Sequence, residues 1–186
     1  MKVFYTKIDE NLMGKYSRSE LRKLQSELGR NIVTFVGKNI YKLTDTNIII
    51  ENNKPRFKNS DIQFSITHSK NIVLVAFDEF SIGVDIEYMK DRDFKKFLGH
   101  YGITSTDKIG FYKQWTELEA KIKLQENAEW VYSQEFNNDY MLTIASSNKQ
   151  SKPEIELSEL SEWSELLTCH YEEGNSLPDD VIQLFI

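Results

Sequence analysis

Apolar positions recur along this chain with two different periods. Leu21, Leu24, Leu28, Ile32 and Phe35 follow one another at helical intervals. They are preceded by Ser17-Arg-Ser-Glu20, the spacing of a helix capping box. A helix is therefore expected from Ser17 onward. Lys2 to Ile8 reads as a strand before it, and Ile48-Ile-Ile50 as a short strand after it, followed by a polar turn at Asn52-Asn53-Lys54-Pro55. Ile72 to Phe77 is almost continuously apolar, Asp78 to Ser81 offers a turn, and Ile82 to Glu87 reads as a return strand. In that strand Ile82, Val84 and Ile86 alternate with Gly83, Asp85 and Glu87. Ser105-Thr106-Asp107 supplies candidate N-caps for a second helix, whose apolar stripe is expected to be Phe111, Trp115, Leu118 and Ile122. Tyr140 to Ala145 reads as a further strand. Beyond Pro153, SELSEWSELL has the pattern of a short amphipathic helix, with Leu160, Trp163, Leu166 and Leu167 on one face.

A helix followed by short strands and a hairpin suggests a first α+β unit over residues 1–90. A second unit is expected over 91–152, and an acidic extension with a docked helix over 153–186. The apolar content of 40%, with eleven Phe, nine Tyr and three Trp, supplies enough bulk for a core, so disorder of the whole chain is not expected. Cys169 is the lone cysteine, which rules out an intrachain disulfide and a cysteine-rich metal site. No apolar run reaches the roughly 20 residues of a membrane span. The opening MKVFYTKIDEN lacks the apolar stretch of a secretion signal, so the expected location is cytoplasmic, with no membrane partner. The net charge of −6 is unevenly spread: the 153–186 segment carries nine acids and no Lys or Arg, whereas residues 1–60 carry twelve bases against six acids. A basic first segment attracts an anionic ligand or an acidic protein, or is simply a solvated lysine-rich surface.

Asp85 and Glu87 stand two apart in a predicted strand, so both point to one face, about 6.6 Å apart along the backbone. Facing outward, they could converge on a hard cation such as Mg²⁺; equally, they could be two solubilising acids on an exposed strand. Glu119 and Lys123 are four apart on the predicted second helix, the spacing of an ordinary surface ion pair. His68 lies between Thr67 and Ser69 at a strand end, where an imidazole and two hydroxyls can serve the core or bind a phosphate.

The order of these elements carries more information than any one of them. Thr67-His68-Ser69, then Gly83-Val-Asp85-Ile-Glu87, then Trp115-Thr-Glu-Leu-Glu119-Ala-Lys-Ile-Lys123 resembles the signature of the 4′-phosphopantetheinyl transferases. That family shows a His-Ser pair after a strand, a Gly-(Val/Ile)-Asp-(Ile/Val)-Glu strand and a Trp-x-x-Lys-Glu-(Ala/Ser)-x-x-Lys helix. Lys54-Pro55 also resembles the family's Gly-Lys-Pro turn, with Asn53 where glycine is usual. The resemblance runs from about Asn52 to Ser146. With the Asp motif in mid-chain, it is nearest the surfactin-type class, which implies two similar α+β subdomains related by a pseudo-twofold. Each would be a small, mainly antiparallel sheet on a long helix, with the site between them.

The resemblance implies a monomeric enzyme. It would transfer the phosphopantetheine arm of coenzyme A to a serine of an acyl, peptidyl or aryl carrier protein, releasing 3′,5′-adenosine bisphosphate. It implies Mg²⁺, or Mn²⁺ in its place, held by Asp85, Glu87 and Glu119. Coenzyme A would be held by Lys54, Pro55, Thr67, His68, Ser69, Lys123 and Arg30, with Arg18, Arg22 and Lys23 as looser candidates. Glu119, Lys123 and His68 would serve the chemistry, Glu119 or a metal-bound water taking the serine proton. No nucleic acid is implied. Leu118 departs from the pattern, standing where the family has Lys or Arg. A non-catalytic relative that binds coenzyme A or a carrier without transfer is the alternative; a magnesium phosphohydrolase leaves the motif order unexplained.

Overall fold

The computed structural model describes residues 1–99, 102–149 and 154–160. In chain order these form β1 (Lys2–Lys7), α1 (Glu10–Met13), α2 (Arg18–Asn39), β2 (Ile48–Glu51), β3 (Lys54–Phe57), β4 (Gln63–Ser69), β5 (Ile72–Asp78) and β6 (Ile82–Tyr88). A 3₁₀ turn at Phe94–Phe97 then leads to α3 (Lys108–Leu124), β7 (Trp130–Phe136), β8 (Tyr140–Ser146) and β9 (Glu156–Glu159). The protein is α+β.

Two sheets and two long helices stack in layers. The first sheet has the order β4-β5-β1-β9, antiparallel except for the parallel β1–β9 pair. The second is antiparallel, β6-β8-β7. Strand alternation gives the first sheet two apolar faces. Phe4, Phe64, Val73, Val75 and Phe77 meet Leu24, Leu28, Ile32 and Val36 of α2. Val3, Tyr5, Ile72, Leu74 and Ala76 meet Ile82, Val84, Ile86, Leu142 and Ile144 of the second sheet. The outer face of the second sheet is covered by α3, where Ala120 and Leu124 contact Ala145.

The α2 start follows its sequence signal: the Ser17 hydroxyl accepts from the Glu20 N–H, and the Glu20 carboxylate accepts from the Ser17 N–H. No helix of the described residues is long and apolar enough to cross a membrane.

Four local expectations are corrected. The return strand after β5 does not pair with it: β6 hydrogen-bonds β8, because Ile82, Val84 and Ile86 turn onto the inner face of the first sheet and carry the chain into the second. The turn after β2 is tighter than expected. Asn52 and Asn53 alone occupy it, with φ of 51° and 62°, and Lys54-Pro55 already belong to β3. Positive φ at both central residues is the hairpin geometry that Asn tolerates nearly as well as Gly, which accounts for Asn53.

The buried stripe of α3 is Tyr112, Thr116, Ala120 and Leu124 together with Phe111, not the stripe through Leu118 and Ile122. Ile122 is 58% exposed. Small and polar residues face the sheet because the helix backbone lies directly on Gly83. A Cβ at Gly83 would sit 2.0 Å from the Ala120 carbonyl oxygen and 2.5 Å from the Leu124 nitrogen. Finally, Ser158 and Glu159, expected to begin a helix, lie in β9. Glu159 accepts from the Tyr5 hydroxyl at 2.7 Å and pairs with Lys7 at 3.2 Å. Leu160 follows, its N–H donating to the Tyr5 carbonyl at 2.8 Å; the rest of that expected helix, from 161 onward, like Cys169, lies outside the described residues.

Candidate functional site

Where the edges of the two sheets meet, β4 and β6 run side by side without a backbone ladder between them. Side chains take its place. The hydroxyls of Ser65, Thr67 and Ser69, alternate residues on one face of β4, accept from the N–H groups of Val84, Ile86 and Tyr88 at 3.1, 3.2 and 2.9 Å. Each hydroxyl keeps a proton to give. Thr67 donates to Asp85 Oδ1 at 3.1 Å and Ser69 to Glu87 Oε2 at 3.0 Å. One set of side chains thus closes the seam and orients both carboxylates.

Asp85 is buried, 5% exposed, with its carboxylate on the α3 side of the strand rather than in solvent. The contact of Gly83 with Ala120 brings α3 close enough for the Lys123 ammonium to donate to Asp85 Oδ1 at 2.7 Å and to the Val84 carbonyl at 3.1 Å. Lys123 therefore pairs across elements and not with Glu119. Burial pushes the Asp85 carboxyl above its ordinary range, with Lys123 opposing. Burial, and then the neighbouring Asp85, push Glu87 up as well.

Asp85 Oδ2 is buried and has no hydrogen-bond partner. An orphaned carboxylate oxygen beside a second carboxylate is a donor set suited to a hard cation. No three His, Cys, Asp or Glu side chains converge as a metal-binding group among the described residues, so Glu119 does not complete a protein cage with Asp85 and Glu87. Two carboxylates with phosphate oxygens and water are nevertheless a usual Mg²⁺ set. Asp85 and Glu87 fit that ion. Glu119 is half-buried on α3 and forms no hydrogen bond or ion pair with another side chain among the described residues.

Two adjoining cavities open beside the seam. One, of about 490 Å³, is lined by Arg30 and Ser26 of α2, Ile48, Ile50 and Pro55 of the hairpin, and Ile66 and His68 of β4. The other, of about 230 Å³, shares Pro55 and Ile66 and adds Lys54, Ile122 and Lys123. Of the residues anticipated for coenzyme A, Arg30, Pro55 and His68 line the first, and Lys54, Pro55 and Lys123 the second. Thr67 and Ser69 face the seam instead, through their bonds to Asp85 and Glu87.

Burial pushes the Lys54 ammonium down, and its Nζ donates to the Leu124 carbonyl at 3.3 Å, joining the hairpin to the C-terminal end of α3. Burial, with Lys123 nearby, lowers His68, so at neutral pH the imidazole is an uncharged donor and acceptor. Arg22 also acts electrostatically on His68. Arg22, Ser26 and Arg30 share one face of α2 at intervals of four, a pattern visible in the sequence. The hydroxyls at alternate positions 65, 67 and 69 were equally visible; Ser65 was missed because nothing in the sequence says that β6 lies beside β4.

In comparison with known proteins, no family model matches this chain, and no curated protein matches it.

Proposed function

We propose that this chain is a 4′-phosphopantetheinyl transferase, moving the phosphopantetheine arm of coenzyme A to a carrier-protein serine. The observation that supports it most is the contact between the two motif-bearing elements. Gly83 of the strand lies against the Ala120 backbone of the helix, Lys123 reaches Asp85, and one Asp85 oxygen is left buried and unpartnered. That arrangement gives Gly83, Ala120, Asp85 and Lys123 of the motifs a reason to be there.

In this reading Arg30, His68 and Lys54 hold the nucleotide and its phosphates in the adjoining cavities, and Lys123 spans Asp85 and the pyrophosphate. The carrier serine oxygen attacks the β-phosphorus, and the bond to the adenosine side breaks. 3′,5′-Adenosine bisphosphate leaves with the electron pair. Glu119, half-buried and uncommitted, takes the serine proton. A divalent cation held by Asp85 and Glu87 would neutralise charge on the pyrophosphate.

The test is incubation with Mg²⁺, coenzyme A labelled in its arm and a panel of apo carrier proteins, followed by mass analysis of each carrier. Label on a carrier serine is expected. A folded protein that labels no carrier overturns the transferase reading. Binding of coenzyme A without transfer would establish the second reading, a non-catalytic binder. That reading is favoured by one observation, that Leu118 stands where the resemblance would put a cation.

A further inference from the structure

A smaller cavity, of about 120 Å³, shares no lining residue with the two beside the seam and is lined by Glu87, Arg92, Phe97, Phe111, Tyr112 and Trp115. Arg92 is mounted on its aromatic wall. The guanidinium carbon lies 5.2 Å from the centre of the Tyr112 ring and 5.7 Å from each of the Phe111 and Phe97 rings. Trp115 extends the wall, its ring 10° from parallel with Phe111. The segment is tied down at its start, where the Lys90 N–H donates to the Tyr112 hydroxyl at 2.9 Å.

A guanidinium seated beside aromatic rings can still offer its N–H groups to an oxyanion. Among the described residues Arg92 has no hydrogen bond or ion pair. The two flanking acids are engaged elsewhere, Asp91 with Lys108 at 3.2 Å and Asp93 with Lys96 at 3.7 Å. Glu87 is near enough for Arg92 to act on it electrostatically, yet the two form no ion pair.

An unpaired guanidinium seated on aromatic rings, across a small cavity from a carboxylate suited to a cation, is complementary to one kind of group: a phosphoryl oxyanion that shares the cation with Glu87. We infer that Arg92 is a phosphate-binding residue of this site, gripping the phosphoryl group on the Glu87 side while Lys123 grips it on the Asp85 side. Leu118 places no cation on α3, and Arg92 brings one from the preceding loop. The inference rests on the proposed function for the identity of the phosphate ester, but not for the presence of an anion subsite.

The experiment is calorimetry with Mg²⁺ and three probes: coenzyme A, inorganic pyrophosphate, and pantetheine, which has no phosphate. Arg92→Gln should weaken coenzyme A and pyrophosphate about tenfold or more, the loss expected for a charge-assisted hydrogen bond. Arg92→Lys should lose less, and pantetheine binding should be the same in all three proteins. Weakening of coenzyme A alone would place Arg92 on another part of that molecule and overturn the inference. So would unchanged Arg92→Gln affinities, or a wild type that binds neither phosphate probe. An Arg92→Gln defect confined to the KM for the carrier in the transfer assay would assign the residue to a protein contact, against the inference. Loss of pyrophosphate binding in Arg92→Gln, with no carrier modified by wild type, would uphold the anion subsite while the transferase reading falls.

Discussion

Gly83→Ala probes the contact on which the proposed site depends. The added methyl would sit 2.0 Å from the Ala120 carbonyl oxygen, 2.5 Å from the Leu124 nitrogen and 3.1 Å from the Ala120 carbonyl carbon. All three are backbone atoms, so no side-chain rotation relieves the overlap. Restoring an ordinary carbon–oxygen contact requires α3 and β6 to separate by roughly 1 Å or more. That separation strains the buried hydroxyl pair Thr116–Thr143, at 2.7 Å, and the Lys123–Asp85 bond, also at 2.7 Å. Overpacking of this kind costs about 1–3 kcal/mol, and loss of the buried hydroxyl bond about 1 kcal/mol more. The smaller unfolded-state entropy of alanine returns about 0.4–1 kcal/mol. The net loss is about 2 kcal/mol, or roughly 4–8 °C in melting temperature for a chain of this size. Thermal and urea denaturation measure it directly. Gly14→Ala is the control, since its nearest neighbour would lie at an ordinary 3.9 Å. A double variant with Ala120→Gly separates the causes: a clash with the Ala120 side chain would be relieved, whereas a clash with its carbonyl persists. Gly83→Ala melting within about 2 °C of wild type, or rescue by Ala120→Gly, would refute the backbone-contact account.

Further outcomes follow from the seam. Thr67→Val removes the acceptor of the Ile86 N–H and a donor to Asp85; it should cost about 1–3 kcal/mol in urea denaturation, and a change below about 0.5 kcal/mol would mean that the hydroxyl is dispensable. Asp85 and Glu87 are both raised by burial, so in the metal-free protein the folded state holds protons that the unfolded chain has already released. Stability should therefore fall as pH rises from the ordinary carboxylate range through their raised values; Asp85→Asn with Glu87→Gln should flatten that fall, and parallel pH curves for variant and parent would argue against it. Glu119→Ala should abolish carrier labelling while leaving the melting temperature nearly unchanged, whereas full activity in the folded variant would remove Glu119 from the chemistry. Leu118→Lys, at a half-exposed position, should fold normally, and circular dichroism tests this.

The parts of the fold legible in the sequence are those whose physics is local. The α2 helix announces itself because Ser17 and Glu20 cap it, and because a face built from Leu24, Leu28 and Ile32 meets an apolar sheet that accepts large side chains. The face of α3 resisted the same reading because its sheet comes too close for large side chains. Against Gly83 the helix buries Thr116 and Ala120, leaving Leu118 and Ile122 toward solvent, so apolar periodicity picked the wrong side. Pairing of β6 with β8 was hidden for a related reason. An alternating strand declares which residues are buried, but not which of two sheets supplies its neighbours. The candidate residues were legible as an ordered set of motifs, while their couplings were not. Thr67, Ser69 and Lys123 were anticipated as ligands of a phosphate; the structure places all three on the carboxylates. These bonds cross from β4 and α3 to β6, between residues 18 to 38 positions apart, where spacing carries no information. The departure at Leu118 takes on a different meaning in this setting. Residue 118 lies outside the buried stripe that fixes α3 on the sheet, so a leucine there alters charge at the surface without disturbing the Gly83–Ala120 contact or the Lys123–Asp85 bond. The site's geometry is therefore set independently of the side chain at 118.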